Sequence, residues 1–174
     1  MREDNALMSR FKAGDSESFE KLIVKHREGA VNFARRYLHD SYTAEDIVQE
    51  SFADIFVYRD RYRDNFSFKT YLFTIIKNKC IDYIRKKHAV PLEEVQTGNC
   101  ESPEQIVLGN EQRNYIRRMI NRLKEDYRTV LYLLEYEDFS YEEIARIMGK
   151  NLGQVKILIF RARQKLKTIL EKEV

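Results

Sequence analysis

Apolar residues recur along this chain at steps of three, four and seven, the periodicity of helices that bury one face. Phe19, Leu22, Ile23, Ala30, Phe33, Ala34, Tyr37 and Leu38 mark a first long helix. Ile47, Val48, Ser51, Phe52, Ile55 and Phe56 mark a second, with Thr43-x-x-Asp46 resembling a capping box at its start. Leu72, Ile75, Ile76, Tyr83 and Ile84 mark a third, from about Ser67 to Lys87. The second half predicts four more, at about 103–123, 126–137, 141–148 and 152–170, with Ser140-x-x-Glu143 as a capping box for the third. The predicted class is all-α.

The pattern lapses from His88 to Gln105 (HAVPLEEVQTGNCESPEQ), a stretch with both prolines, a Gly-Asn pair and no lysine or arginine. Ser102-Pro103-Glu104 ends it as a helix start, with a serine N-cap, proline at the first helical position and an acid near the positive end of the dipole. Two small helical domains, 1–88 and 103–174, are therefore expected around a flexible linker, 89–102. Charge follows the same division. Residues 1–88 hold 17 bases and 14 acids, residues 89–104 no base and four acids, and residues 105–174 14 bases and ten acids. A net charge of only +3 thus conceals two basic units, a distribution suited to a polyanionic partner.

Cys80 and Cys100 form no C-x-x-C pair, and His26, His39 and His88 have no H-E-x-x-H context, so no metal site is expected. The sequence holds no P-loop, nucleophile elbow or zinc-protease motif. No catalysis, cofactor or small-molecule substrate is expected. No apolar run approaches the ~18 residues of a membrane span, so the expectation is a soluble cytoplasmic protein without membrane insertion.

Ser140 to Lys167 (SYEEIARIMGKNLGQVKILIFRARQKLK) has the spacing of a helix-turn-helix. Ile144 and Met148 face inward, Ala145 is small where the helices cross, Gly149 makes the turn, and Val155 and Leu158 seat the second helix. Glu135 to Glu143 holds five acids and no base, whereas Arg146 to Lys172 holds eight bases and one acid, the polarity a groove-binding helix needs.

In the first domain Asp46, Gln49, Glu50, Ala53 and Asp54 lie opposite the apolar stripe, a solvated face or a docking site for a basic partner. Tyr58 to Lys87 interleaves Tyr58, Tyr62, Phe66, Phe68 and Tyr71 with bases. Rings that stack on unpaired bases and cations that follow phosphates suit melted DNA, although rings at helical spacing also build cores.

These three segments, in this order, resemble the extracytoplasmic-function group of bacterial RNA polymerase sigma factors over nearly the whole chain. The resemblance implies that AEDIVQESFADIF (44–56) is the helix that binds core polymerase, with Asp46, Gln49, Glu50 and Phe52 at matching positions. It implies that FKTYLFTIIKNKCIDYIRKK (68–87) melts and reads the minus-10 element, with Asn78, Asp82 and Arg85 matching, and that the loop from Tyr62 to Ser67 captures a flipped base. Tyr62, Arg63, Asn65, Phe66, Tyr71, Lys77, Asn78 and Arg85 are the minus-10 candidates; Gln154, Lys156, Ile157, Phe160, Arg161 and Arg163, in the segment 139–163, are the minus-35 candidates. Tyr71 stands where the family usually has tryptophan, and Ile157 where a small or basic residue is common. The implied partners are core RNA polymerase, promoter DNA as duplex and melted non-template strand, and an anti-sigma factor. Two other readings compete: a stand-alone helix-turn-helix regulator that binds DNA as a dimer, and a nucleic-acid-processing enzyme using carboxylates such as Asp46 and Glu50.

Overall fold

A computed structural model describes residues 2–38, 40–89 and 118–172. The chain divides into two compact units, Met1–Asn99 and Cys100–Val174. Among the described residues every regular element is helical. The predicted helix start at Ser102-Pro103 lies outside the described residues, as does most of the linker.

The first unit contains α1 (Arg2–Lys12), α2 (Ser16–Leu38), α3 (Ser41–Val57), a 3-10 turn (Arg59–Arg61) and α4 (Phe68–Ala89). Helix α2 is central and packs on α1, α3 and α4. Phe19, Leu22, Ala30, Phe33 and Ala34 are buried as the periodicity predicts, while Ile23, Tyr37 and Leu38 are half-buried. Helix α3 begins earlier than the sequence reading placed it. Asp40, not Thr43, is the N-cap, and its carboxylate accepts from the Tyr42 and Thr43 amides. An aspartate in extended backbone two and three residues before those amides satisfies orphan donors that Thr43, already inside the helix, cannot.

Helix α1 has no counterpart among the three apolar stripes of this half of the sequence. Its Met8 and Phe11 are fully buried, with the Phe11 ring stacked 4.5 Å from Phe19 and tilted 5.2 Å from Phe56. Gly14, with φ +107°, turns the chain: its amide donates to the Phe11 carbonyl and that of Asp15 to Arg10, closing the helix in a left-handed C-terminal motif. Asp15 then caps α2 by accepting from the Ser18 amide and hydroxyl. A buried polar cluster also ties α1 to α2. Asp4 Oδ2 lies 2.8 Å from His26 Nε2, and Asp4 Oδ1 accepts from Lys25 Nζ at 2.7 Å. Burial opposes ionisation of Asp4, but the Lys25 and His26 hydrogen bonds prevail and hold its pKa below the usual carboxylate value. Burial pushes the His26 imidazole below its ordinary value, against the pull of Asp4.

In the second unit, helical backbone at 118–121 precedes α5 (Glu125–Glu135), α6 (Tyr141–Met148) and α7 (Leu152–Glu171). Helix α7 packs on both α5 and α6. Ser140 and Glu143 form the expected capping box, and Gly149, at φ +63°, ends α6 in the left-handed region. Asn151 and Gln154 form a second box that opens α7. Ile144, Ala145, Ile147, Val155 and Ile159 are buried. Ile159, rather than Leu158, completes the seat of α7, because Val155, Ile159 and Ala162 advance by four and three along one face.

Candidate functional site

Helix α3 carries Glu45, Asp46, Glu50 and Asp54 and no lysine or arginine. Its inner face is buried through Ala44, Ile47, Val48, Ser51, Phe52 and Ile55. Asp46, Gln49, Glu50 and Ala53 are exposed on the other side, and Asp54 is half-buried. Phe52, a candidate docking residue, is 5% exposed and packs 6.2 Å edge-on to Phe19; the structure makes it the floor under the acidic face. Cations of the same unit pair with part of the stripe. Lys79 of α4 lies 2.8 Å from Asp54 and 3.3 Å from Glu50, and Arg35 of α2 lies 3.4 Å from Glu45. Burial disfavours the charged Lys79 amine, but the two carboxylates outweigh it and raise its pKa. Asp46 has no ion-pair partner among the described residues. Tyr42, 84% exposed, and Val57, 67% exposed, extend the same face to both ends of the helix. The polar-stripe reading passed over them, although each lies four residues from a stripe member, Asp46 and Ala53 respectively.

The minus-10 candidates fall into two groups. Tyr62 is 3% exposed, its hydroxyl 2.8 Å from Asn5 Oδ1 and 3.1 Å from the Phe66 carbonyl, while Lys12 Nζ donates to the Tyr62 carbonyl at 2.7 Å. A base stacks on this ring only by displacing protein. Burial lifts the Tyr62 phenol to about 12. The ring anchors the loop to α1, beneath exposed Arg63 and Asn65 and half-buried Phe66. Tyr71 is half-buried, its ring 5.3 Å from Tyr62 at 67°, and burial raises its pKa. Of the other rings in the segment, Phe68 is fully buried and Tyr58 exposed, its ring under the Arg61 guanidinium at 4.1 Å. Ser67 caps α4 through the Thr70 amide at 3.1 Å.

Advancing at about 100° per residue, Tyr71, Asn78 and Arg85 share one face of α4, opposite buried Leu72, Phe73, Ile76 and Cys80. Asn78 and Arg85 are exposed and Lys77 is half-buried. Tyr83, assigned to the apolar stripe from sequence, is 39% exposed. It lies past Cys80, the last buried residue among the described side chains of the helix.

On α7, Lys156, Ile157, Phe160 and Arg161 are exposed, as the helix-turn-helix register requires. Gln154 is also exposed, but its Oε1 accepts from the Asn151 amide at 2.9 Å, so part of its hydrogen-bonding capacity serves the cap. Arg163 is exposed as well. It donates to Glu135 Oε1 of α5 at 2.7 Å, and that bond raises its pKa. Arg163 thus stays on the surface of α7 while it ties that helix to α5. Among the described residues no group of three or more histidine, cysteine, aspartate or glutamate side chains is arranged to hold a metal, and no helix is long and apolar enough to cross a membrane.

The chain matches the family models Sigma-70 region 2 over residues 22–90 and Sigma-70, region 4 over residues 113–166. It is 30% identical over 182 residues to the RNA polymerase sigma-H factor of Pseudomonas aeruginosa, covering 97% of this chain and 94% of that protein. It is 33% identical over 174 residues to the ECF RNA polymerase sigma-E factor of Salmonella typhimurium, covering 92% and 91%. Among solved structures, it is similar to the sigma factor RpoE of Bartonella quintana, crystallised with the anti-sigma factor NepR, with a TM-score of 0.68, 25% identity, and coverage of 89% of this chain and 98% of that one. It shares its fold with CnrH, solved with the cytosolic domain of CnrY, at a TM-score of 0.71, 22% identity and 99% coverage of both chains. With both sigma-70 regions present in order and relatives matched along almost its whole length, this chain belongs to the extracytoplasmic-function family of RNA polymerase sigma factors.

Proposed function

We propose that this chain binds core RNA polymerase through the outward face of α3 and directs it to promoters, with the Arg63–Asn65 loop and α4 holding melted minus-10 bases and α7 reading minus-35 duplex. Residues 1–88 form the docking and minus-10 module, 89–102 the tether, and 103–174 the minus-35 module. The observation that carries this reading is that each implied surface is exposed on a helix whose other side is buried: Asp46 and Glu50 on α3, Asn78 and Arg85 on α4, Lys156 and Arg161 on α7. Anionic α3 suits a basic protein surface, and cationic α7, with no acid from Leu152 to Leu170, suits phosphate. Tyr42 and Val57 supply apolar anchors at the ends of the α3 face. Tyr62 and Phe52 serve as supports for the surfaces above them.

The chain performs no catalysis in this scheme; polymerase does. It works in the cytoplasm, where polymerase and DNA are. An anti-sigma protein is a further partner, as in the Bartonella quintana complex. The stand-alone regulator draws no support from the comparisons, which place a sigma-70 region 2 match before the helix-turn-helix.

Size-exclusion chromatography with purified core polymerase, followed by sequencing of DNA retained by the complex, tests the proposal. Co-elution and enrichment of a two-part promoter are expected. Tight binding of an operator by the free chain as a dimer, with no polymerase association, would reverse the assignment.

A further inference from the structure

Helix α7 presents an isoleucine where a DNA-binding surface ordinarily needs polar groups. At about 100° per residue Ile157 lies nearly opposite the Val155, Ile159 and Ala162 seat, so among the described residues no helix of its own unit covers it. It is 53% exposed, and Phe160, three residues on, is 63% exposed. Gly153, one turn before Ile157 on the same face, has no packing reason among the described residues: a Cβ there would meet only Asn151 Oδ1, at 3.4 Å. A glycine near the start of the helix, where side chains enter a groove, leaves room for close approach of a partner.

The surroundings identify that partner. From Leu152 to Leu170 the helix carries Lys156, Arg161, Arg163, Lys165 and Lys167 and no acid, which fits a polyanion. An isoleucine forms no hydrogen bond to a base edge, and the apolar group displayed in the major groove is the thymine 5-methyl. We propose that Ile157 is a specificity-determining residue that selects thymine in the upstream promoter element by packing on its 5-methyl group, while Lys156 and Arg161 hold the flanking backbone or base edges. This rests on the reading of α7 as the duplex-binding helix.

The test uses holoenzyme assembled from the full chain and core polymerase. The upstream element is taken from DNA that the holoenzyme selects, and each thymine in it is replaced singly by deoxyuridine, which removes the methyl and keeps pairing and hydrogen-bonding edges. Wild type is expected to lose about three- to fivefold in affinity at one or two positions, the effect of exposing one buried methyl. Ile157→Ala is expected to bind the thymine duplex more weakly and lose nothing further on deoxyuridine; Ile157→Ser should behave alike. Three results overturn the assignment alone: indifference of wild type to deoxyuridine everywhere, a penalty of the same size retained in Ile157→Ala, or a selected element without thymine. If holoenzyme selects no upstream element, the reading of α7 falls with it.

Discussion

Reversing two charges on α3 separates docking from folding. In Asp46→Lys combined with Glu50→Lys both side chains are exposed and opposite the buried stripe, so no apolar packing is lost. Asp46 gives up no ion pair among the described residues, and Glu50 gives up its 3.3 Å contact with Lys79, which keeps Asp54 at 2.8 Å. Exposed pairs of this kind contribute ~0.2–1 kcal/mol, and a new amine beside Lys79 adds repulsion of similar size. The cost to the fold is about 1 kcal/mol, or about 4–8 °C in Tm for a domain of this size. Against a basic partner the change replaces two attractions by two repulsions, each worth about 1 kcal/mol or more, so polymerase affinity should drop at least about a hundredfold. Far-UV circular dichroism melts and competition binding to core polymerase measure the two effects. Glu20→Lys with Glu28→Lys, at exposed positions of α2, makes the same change in formal charge away from the stripe and should bind normally. Retained affinity in the α3 variant, or equal loss in the α2 control, would refute the docking face.

Other expectations follow from packing and protonation. Ala145→Leu forces extra volume into a buried position of α6, which packs on α7; overpacking of about 1–3 kcal/mol should lower the melting temperature and weaken promoter binding while polymerase association persists. His26 has a folded pKa below its ordinary 6.5, so the unfolded chain takes up the proton first as pH falls. The stability it contributes is full above about pH 6.5 and declines toward its folded pKa, and His26→Gln should flatten that part of a urea-midpoint profile. The Cys80 thiol is pushed up to about 12 by burial and should resist iodoacetamide in the native chain, reacting when urea exposes it, as mass spectrometry would record.

The helix-turn-helix was legible from sequence because local rules coincide there. Ser140-x-x-Glu143 starts a helix, Gly149 supplies the left-handed turn, and Ala145 is small at a buried position. Its one error of register, Leu158 for Ile159, arose because two adjacent apolar residues fit the same period. Helix α1 was not legible. Met8 and Phe11 are its only fully buried apolar residues among those described, and what fixes it is tertiary: Phe11 on Phe19, and buried Asp4 on His26. The aromatic segment was divided by the same kind of contact. Nothing local distinguishes Tyr62 from Tyr58, yet Asn5, distant in sequence, takes the Tyr62 hydroxyl and buries the ring. Arg163 looked like its basic neighbours until Glu135 supplied a partner from α5.

Start-site mapping of transcripts made by purified core polymerase is the most direct trial of this account. Adding the chain to core polymerase and genomic DNA should produce discrete transcripts beginning at a fixed distance downstream of a shared two-part element. Core polymerase with the chain that yields only the scattered starts of core polymerase alone would contradict it.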